Sequence, residues 1–145
     1  PYYGLHAGLG YLWQASEMAS LDFSAKYLWS HQGKDSVTIA GDKFHFRSGD
    51  SMRLRGGVRL GLEFGETLSS YAGAYYEHEF DGQTSATVNG FNIEADDISG
   101  GTGLGELGLT WTPAGADSLS LGLGLHGYTG VREGVAGNVQ FKWAF

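Results

Sequence analysis

Strict alternation of apolar and polar residues over unusually long segments is the feature that most constrains how this chain folds. Leu119, Leu121, Leu123 and Leu125 alternate with serine, glycine and histidine, and the final segment, 134–145, repeats the pattern. Successive side chains of a β-strand point to opposite faces, so each such segment predicts a strand with one apolar and one polar face. The same pattern predicts seven strands, at residues 2–13, 20–31, 51–64, 70–80, 102–112, 118–128 and 134–145.

The predicted strands are 11 to 14 residues long, whereas strands of soluble sheets average about 5 to 6 residues. A bilayer is crossed by about 9 to 11 tilted strand residues, so these lengths suit a membrane wall. The mean hydropathy of -0.20 does not argue against a membrane, because only alternate side chains of a transmembrane strand meet lipid. No run of about 18 apolar residues predicts a transmembrane helix. A soluble sandwich of two sheets also alternates in this way and stays open as an alternative.

The composition favours strands over helices. The 145 residues include 25 glycines, 8 tyrosines, 8 phenylalanines and 4 tryptophans. Glycine weakens a helix by about 1 kcal/mol at each interior site relative to alanine, yet it suits crowded strands in which a neighbour needs space. The formal net charge of -7 argues against a nucleic-acid partner, and the lack of cysteine excludes disulfides and thiolate metal sites within the chain. We therefore expect one all-β domain.

The connections between the predicted strands alternate between short and long. Those at 14–19, 65–69 and 113–117 are short, whereas those at 32–50 and 81–101 are long. Barrels of the outer membrane have short periplasmic turns and longer extracellular loops. The alternation therefore predicts an antiparallel up-and-down transmembrane β-barrel whose last strand ends at the periplasmic rim.

The long loops contain further extended segments. Ser36–Ile39 with Lys43–Arg47, and Ser85–Asn89 with Phe91–Glu94, predict one hairpin each, the second around an Asn-Gly turn. These hairpins would extend the wall above the membrane on the extracellular side. The connection at Thr129–Glu133 should be extracellular as well, but it is short and so forms an exception.

Aromatic residues gather at the two ends of the predicted strands. Those near the periplasmic ends are Trp13, Phe64, Tyr71, Trp111, Trp143 and Phe145. Those near the outer ends are Tyr3, Tyr27, Trp29, Tyr76 and Phe80. Amphipathic rings prefer the headgroup level of a bilayer. This placement predicts two aromatic girdles in contact with outer-membrane lipid.

Charged residues are sorted to the face opposite the apolar one. The inward positions hold Asp22, Lys26, Arg53, Arg55, Arg59, Glu63, Glu77, Glu79, Glu106 and Lys142. Arg or Lys on the lipid face near the midplane costs about 2 to 4 kcal/mol, so the sorting itself indicates a membrane. The candidate lumen residues are Arg53, Arg55, Arg59, Glu77, Glu79, Glu106 and Lys142. They either pair with one another and fill the lumen, or they hold and guide a polypeptide threaded through the pore.

The sequence predicts no catalytic, metal or cofactor site. In Glu77-His78-Glu79 the histidine points away from both glutamates, because neighbouring strand residues face opposite sides. The histidines, at positions 6, 31, 45, 78 and 126, have no recurring ligand spacing. The GxGxxG pattern at 103–108 lies inside a strand with no following helix, so it does not predict a dinucleotide site. Asp96-Asp97 is interpreted as a solvated loop segment rather than a calcium site.

Five segments of the chain, in order, form a recognisable set. They are SLDFSAKYLW at 20–29, DSMRLRGG at 50–57, YAGAYYEHEFDG at 71–82, GELGL at 105–109 and GYTGVREG at 127–134. Together with the aromatic C-terminus they resemble the autotransporter β-domain. The resemblance covers nearly the whole chain.

The resemblance implies a translocator of type V secretion in the outer membrane of a Gram-negative bacterium. It implies a pore of about 12 strands with a helical linker inside, which anchors an N-terminal passenger and helps to export it. The last strand of such a barrel is read as a targeting signal by the barrel-assembly machinery. By position, the implied signal consists of Val139, Phe141, Trp143 and Phe145. The implied partners are outer-membrane lipid, the assembly machinery, and the chain's own passenger and linker.

We therefore expect residues 1–145 to be the C-terminal part of a single outer-membrane barrel domain. About seven of about 12 strands would be present, and such a fragment could not close by itself. One alternative is a small self-contained barrel of about eight strands that acts as an adhesin or a structural, porin-like protein. A further alternative is an outer-membrane enzyme such as a lipid hydrolase, although we expect no enzymatic activity.

Overall fold

A computed structural model describes residues 1–82, 85–94, 97–115 and 118–143 of the chain. These residues form eleven β-strands. The strands are β1 (Tyr2–Gln14), β2 (Ala19–Gln32), β3 (Asp35–Ile39), β4 (Asp42–Phe46), β5 (Gly49–Phe64), β6 (Leu68–Asp81), β7 (Ser85–Val88), β8 (Phe91–Glu94), β9 (Gly100–Trp111), β10 (Leu119–Gly130) and β11 (Gly134–Trp143). In this part of the chain there is no helix that is long and apolar enough to cross a membrane.

Seven long strands form one antiparallel sheet, which we call the wall sheet. Its order is β1-β2-β5-β6-β9-β10-β11. The seven strands predicted from alternation are all present, and their ends agree within two residues wherever both ends are described. Within the described ranges β1 pairs only with β2 and β11 only with β10, so the wall sheet does not close into a barrel. The all-β, antiparallel part of the predicted fold is confirmed.

The pairing register gives the wall sheet one polar and one apolar face. Directly paired residues of antiparallel strands share a face. One row runs from Asp22 through Arg59, Gly73 and Glu106 to His126, and the face that carries it is called the polar face. The adjacent row consists of Leu21, Leu60, Ala72, Leu107 and Leu125 and lies on the opposite, apolar face.

Burial in the wall sheet is the inverse of that in a soluble domain. Among the described residues no hydrophobic side chain is buried, whereas Glu77, Glu79 and Thr102 are buried. Apolar-face residues such as Leu123 and Val139 are 47% and 74% exposed. A soluble sandwich would bury this face against a second sheet. The sandwich alternative is therefore wrong for the described part of the chain.

Glycines on the polar face make room for tyrosine rings. A Cβ atom added to Gly57 would collide with the ring of Tyr75, its partner on β6. One added to Gly108 would collide with the ring of Tyr71, again its cross-strand partner. The crowding that the glycine content predicted is therefore found where large rings lie flat along the wall.

The four short strands form a second antiparallel sheet, called here the loop sheet, with the order β3-β4-β7-β8. Both predicted hairpins are confirmed, and their turns at Ala40-Gly41 and Asn89-Gly90 have positive φ at both positions, as tight hairpin turns require. The pairing of β4 with β7, which joins the two hairpins, was not predicted. The Asn89 side chain reinforces this junction, since it donates to Asp42 at 2.7 Å and accepts from the Lys43 backbone N–H at 3.1 Å.

Candidate functional site: the polar face of the wall sheet

The register places every candidate lumen residue on the polar face. Three arginines lie on β5, two glutamates on β6, Glu106 on β9 and Lys142 on β11. Arg53 pairs directly with Glu79, and Arg55 with Glu77. Lys142 lies apart from the other charges, at the opposite end of the wall, where it pairs with Ser120. The structure thus collects six of the seven residues into two clusters; that they line a lumen stays a prediction.

The first cluster surrounds Glu77, the most deeply buried side chain among the described residues, with 1% of its surface exposed. Arg55 donates from Nε to Glu77 Oε2 at 2.8 Å and approaches the same oxygen through a terminal nitrogen at 2.7 Å. Arg132 contacts the other carboxylate oxygen, and Arg53 lies 4.0 Å from that oxygen. A buried carboxylate is tolerated because three guanidinium groups compensate for its lost hydration.

Glu79 lies beside this cluster at an irregularity of the sheet. The register shifts between Met52 and Arg53, which pair with Asp81 and Glu79, so that one extra residue of β6 is unpaired. The Met52 backbone N–H donates to Glu79 Oε1 at 2.8 Å, and the Ser51 hydroxyl donates to the same oxygen at 2.9 Å. Arg53 Nε lies 3.3 Å from the other oxygen. The Glu79 carboxylate therefore satisfies the donors that the bulge exposes.

Arg132 is a member of the first cluster that the sequence did not predict. It lies in the short connection between β10 and β11. The connection folds back over β9, because Val131 N–H donates to the Gly101 carbonyl at 3.0 Å and Arg132 N–H donates to the Thr102 hydroxyl at 3.4 Å. Burial, followed by the charges of Arg53 and Arg55, lowers the pKa of the Arg132 guanidinium.

The second cluster is centred on Glu106, halfway along the wall. Arg59 Nε lies 3.1 Å from Glu106 Oε1, and the Tyr75 hydroxyl donates to the same oxygen at 2.7 Å. His126 Nδ1 lies 3.8 Å from the other oxygen. The Arg59 guanidinium also stacks on the Tyr71 ring, 3.7 Å from its centroid. Each partner is thereby held at the wall, which keeps the charges paired across neighbouring strands.

The polar face is concave. It borders an open cavity of about 780 Å³ that residues from six of the seven strands line, among them His6, Lys26, Arg55, Glu106 and Tyr128. Paired charges, hydroxyls and imidazoles line this space, so it suits a hydrated polar segment rather than an apolar ligand. In the described part of the chain no three His, Asp or Glu side chains are grouped so as to hold a metal ion. Asp96, half of the Asp96-Asp97 segment, lies outside the described residues.

The prediction that the Glu77-His78-Glu79 trio cannot converge is confirmed. His78 lies on the apolar face between two rings, with centroid distances of 6.4 Å to Tyr76 and 4.6 Å to Phe80. The two glutamates lie on the polar face with their arginine partners.

The girdle candidates Trp13, Trp29, Phe64, Tyr76 and Trp111 lie on the apolar face. Four of them have exposed rings, namely Trp13, Phe64, Tyr76 and Trp111. Phe64 and Trp111 share one cross-strand row, since both pair with Leu68. Trp29 is half-buried and stacks on His31 with a centroid distance of 6.4 Å. Contact of these rings with headgroups stays a prediction. The girdle position predicted for Tyr71 is wrong, because Tyr71 pairs with Gly108 on the polar face and its ring lies under Arg59.

The candidate assembly signal lies on the edge strand β11. Val139, Phe141 and Trp143 project from the apolar face, and all three are exposed. Phe145, the fourth member, lies outside the described residues. An exposed edge strand with a uniform apolar face is a surface that a partner strand could recognise.

The comparison with protein families bears on the three predicted functions, namely a translocator, a small self-contained barrel and an outer-membrane enzyme. The model of the family described as Autotransporter beta-domain matches residues 2–141 of the 145-residue chain. The chain belongs to the autotransporter β-domain family. No curated protein sequence matched the chain.

Membership confirms the predicted resemblance. Autotransporter β-domains are outer-membrane translocators of type V secretion, and the family is one of translocators rather than enzymes. Membership implies the outer membrane of a Gram-negative bacterium and a linked passenger.

Proposed function

We propose that this chain forms part of the pore wall through which an autotransporter exports its N-terminal passenger, and that the same wall anchors the protein in the outer membrane. The observation that carries the proposal is the inverted burial. Carboxylates are buried on the concave face while the leucines and aromatics of the other face remain exposed. Lipid would cover the apolar face, and water with the translocating segment would fill the concave side.

The proposal requires the wall sheet to be closed by further strands. Backbone groups of an unpaired edge cannot be satisfied in lipid, so β1 and β11 must each have a partner in the membrane. About five upstream strands would complete an even-numbered barrel of about 12. Residues 1–145 would then be the C-terminal part of a single barrel domain.

The two charge clusters give the proposed pore its inner surface. Because Glu77 and Glu106 are each bound to arginine, neither carboxylate would present an uncompensated charge to a passing segment. The guanidinium groups are 30% to 42% exposed, so they can still donate to a linker or passenger that lies against the wall. The clusters would therefore both stabilise the wall and contact the exported chain. We infer no catalytic role for them.

Strand β11 has a further proposed role, as the signal that the barrel-assembly machinery reads. Its apolar face, with Val139, Phe141, Trp143 and the terminal Phe145, would be recognised during insertion.

The test of the proposed function uses the full-length protein in its outer membrane. Val139→Asp combined with Phe141→Asp changes the apolar face of β11, and the matched control, Asn138→Asp with Gln140→Asp, changes the polar face of the same strand. We expect protease added to intact cells to release the passenger from the wild type and the control, but not from the apolar-face variant. Equal release from both variants would contradict the proposal.

A further inference from the structure

The connection between β10 and β11 lies against the polar face of the wall sheet. Its three residues, 131–133, are called here the strap. The Arg132 backbone N–H donates to the Thr102 hydroxyl at 3.4 Å, and the Arg132 guanidinium contacts the Glu77 carboxylate. Glu77, Thr102 and Gly130 are direct cross-strand neighbours on β6, β9 and β10. The Arg132 side chain therefore reaches across β9 to β6, over two strand spacings of about 4.8 Å each.

The strap adds a second layer to this part of the wall. Glu77 and Thr102 are two of the three buried side chains among the described residues, and Arg132 contacts both. Leu104, the next residue of β9 on the same face, borders the open cavity instead. The strap thus covers side chains that would otherwise face the interior of the proposed pore.

Two glycines allow the strap to lie this close to the wall. Gly130, which precedes the strap, has a φ of 122°, and a Cβ atom there would collide with the carbonyl oxygen of Gly101. Gly100, which faces the strap, has a φ of 130°, and a Cβ atom there would collide with the Val131 side chain. Residues other than glycine rarely adopt such φ values. The close approach of the strap therefore depends on glycine at both positions.

Few contacts hold the strap on the wall. Besides the two contacts of Arg132, the Val131 backbone N–H donates to the Gly101 carbonyl at 3.0 Å. The side chains of Val131 and Arg132 are each 42% exposed, and Glu133 is exposed as well. Segments with little buried apolar surface open at a small cost in free energy. The strap can therefore leave the wall while β10 and β11 stay paired.

The ion pair of Arg132 can open without leaving a buried charge alone. Arg55 approaches Glu77 Oε2 through two nitrogens, at 2.8 and 2.7 Å, and Arg53 lies 4.0 Å from Oε1. Glu77 therefore stays compensated when Arg132 leaves. Burial, and then the charges of Arg53 and Arg55, lower the pKa of the Arg132 guanidinium. Opening the strap returns this guanidinium to water and relieves the repulsion between the arginines.

The strap narrows the pore of the proposed function, on which this inference rests. The interior of an eight-stranded barrel is filled by its own side chains, so a barrel of about 12 strands leaves only a narrow channel. A second layer of side chains takes up part of that channel, at the end that the connection lengths predict to be extracellular. An exported segment would meet the strap last.

We propose that the strap is a movable rim of the pore, which the exported segment lifts as it leaves and which afterwards returns to Glu77 and Thr102. Arg132 is the positioning residue that holds the strap on the wall between export events. While the strap is lifted, Glu77 and Thr102 face the exported segment, and Arg53 and Arg55 keep the Glu77 carboxylate paired.

A disulfide that locks the strap tests the proposal, because the described chain has no cysteine of its own. A Cβ atom at Gly100 would lie 4.0 Å from the Cβ of Val131, within the range of about 3.5 to 4.5 Å that a disulfide needs. Gly100→Cys with Val131→Cys is made in the full-length protein, with any other cysteine replaced by serine. Such a pair is expected to oxidise in the periplasm.

We expect the oxidised lock to reduce, at least tenfold, the passenger that protease releases from intact cells. Growth with dithiothreitol is expected to restore release, while the amount of heat-modifiable barrel stays the same. Gly100→Cys and Val131→Cys alone are the controls, and each is expected to release its passenger with or without the reductant. Equal release from the oxidised and the reduced double variant would overturn the proposal.

A second test needs no substitution at Gly100. Thr102→Cys places a thiol beneath the strap, and Leu104→Cys places a matched thiol on the same face of β9 beside it. Arg132→Gln is expected to speed the labelling of Thr102→Cys by a membrane-impermeant maleimide at least tenfold and to leave the labelling of Leu104→Cys unchanged. Unchanged labelling of Thr102→Cys, or loss of barrel with Arg132→Gln, would show that the strap is a fixed part of the wall.

The two proposals fail in different ways. Normal release of the passenger from the locked variant would refute the movable strap and leave the translocator function intact. Failure of the unsubstituted protein to display its passenger would refute the translocator function itself.

Discussion

At the scale of single residues, the account depends on Glu77. Its carboxylate is almost fully buried and is held by Arg53, Arg55 and Arg132 from two directions. Removing one partner of a buried ion pair is costly, because the remaining charge stays desolvated. Here three positive charges would be left close together.

Glu77→Gln is therefore expected to lower the free energy of unfolding by about 2 kcal/mol, less than for a fully buried pair because the arginines are partly exposed. Urea unfolding of the full-length barrel in lipid vesicles measures this change. Glu63→Gln is the matched control, since Glu63 lies on the same face but is exposed. Equal losses in the two variants would contradict the role assigned to the first cluster.

The sequence predicted the faces of the charged strand residues correctly, because odd and even positions of a strand point to opposite faces. It did not predict the contact of Arg132, which lies in a turn. Alternation alone placed Arg53 and Glu79 on one face. The short turn between β5 and β6 fixes which residues pair across the two strands, and paired residues share a face. Arg132 lies in the connection between two strands, where side chains do not alternate between two faces, so its direction could not be predicted from its position. Its contact with Glu77 depends on the turn bending over Gly101, which is a long-range feature. Arginine within the glycine-rich segment 127–134 was the only local signal.

At the scale of the element, β10 tests the assignment of faces. Leu125 projects from the apolar face and is about half exposed, whereas the neighbouring His126 lies on the polar face near Glu106. Arginine on a lipid-facing strand position near the midplane costs about 2 to 4 kcal/mol. Arginine at position 126 would instead meet the Glu106 carboxylate.

Leu125→Arg is accordingly expected to reduce the amount of heat-modifiable barrel in outer membranes severely, and His126→Arg is expected to leave it close to the wild-type amount. Quantitative electrophoresis of heated and unheated membrane fractions measures both. If the two substitutions were tolerated equally well, the apolar face of β10 would not be in lipid.

The ends of the strands were predictable because the alternation of apolar and polar residues stops where the connecting segments begin. The strand predicted at 20–31 is observed at Ala19–Gln32, and both loop hairpins were predicted from their extended segments, the second also from its Asn-Gly turn. The pairing of β4 with β7 was not predicted, because it joins residues 40 to 44 positions apart in the sequence. Strand patterns specify which residues are extended, but not which distant edges meet.

At the scale of the whole molecule, the wall sheet has one apolar and one charged face, and its edge strands β1 and β11 each have a single partner strand within the described ranges. The family match places such a sheet in the outer membrane, and physical chemistry requires its edges to be paired there. The sequence could predict this setting because sorted faces and strand length are both consequences of the bilayer. It could not predict the identity of a passenger, because the pattern of a wall strand depends on lipid and water and not on the exported segment.

The most direct test of the account is the accessibility of single spin labels at positions 121–126 of β10, in the full-length protein reconstituted in lipid bilayers. Collision with oxygen reports contact with lipid, and collision with a water-soluble nickel complex reports contact with the aqueous pore. We predict that oxygen accessibility peaks at positions 121, 123 and 125 and nickel accessibility at 122, 124 and 126. Accessibility that does not alternate, or that alternates with the opposite phase, would contradict the claim that this sheet separates lipid from a polar pore.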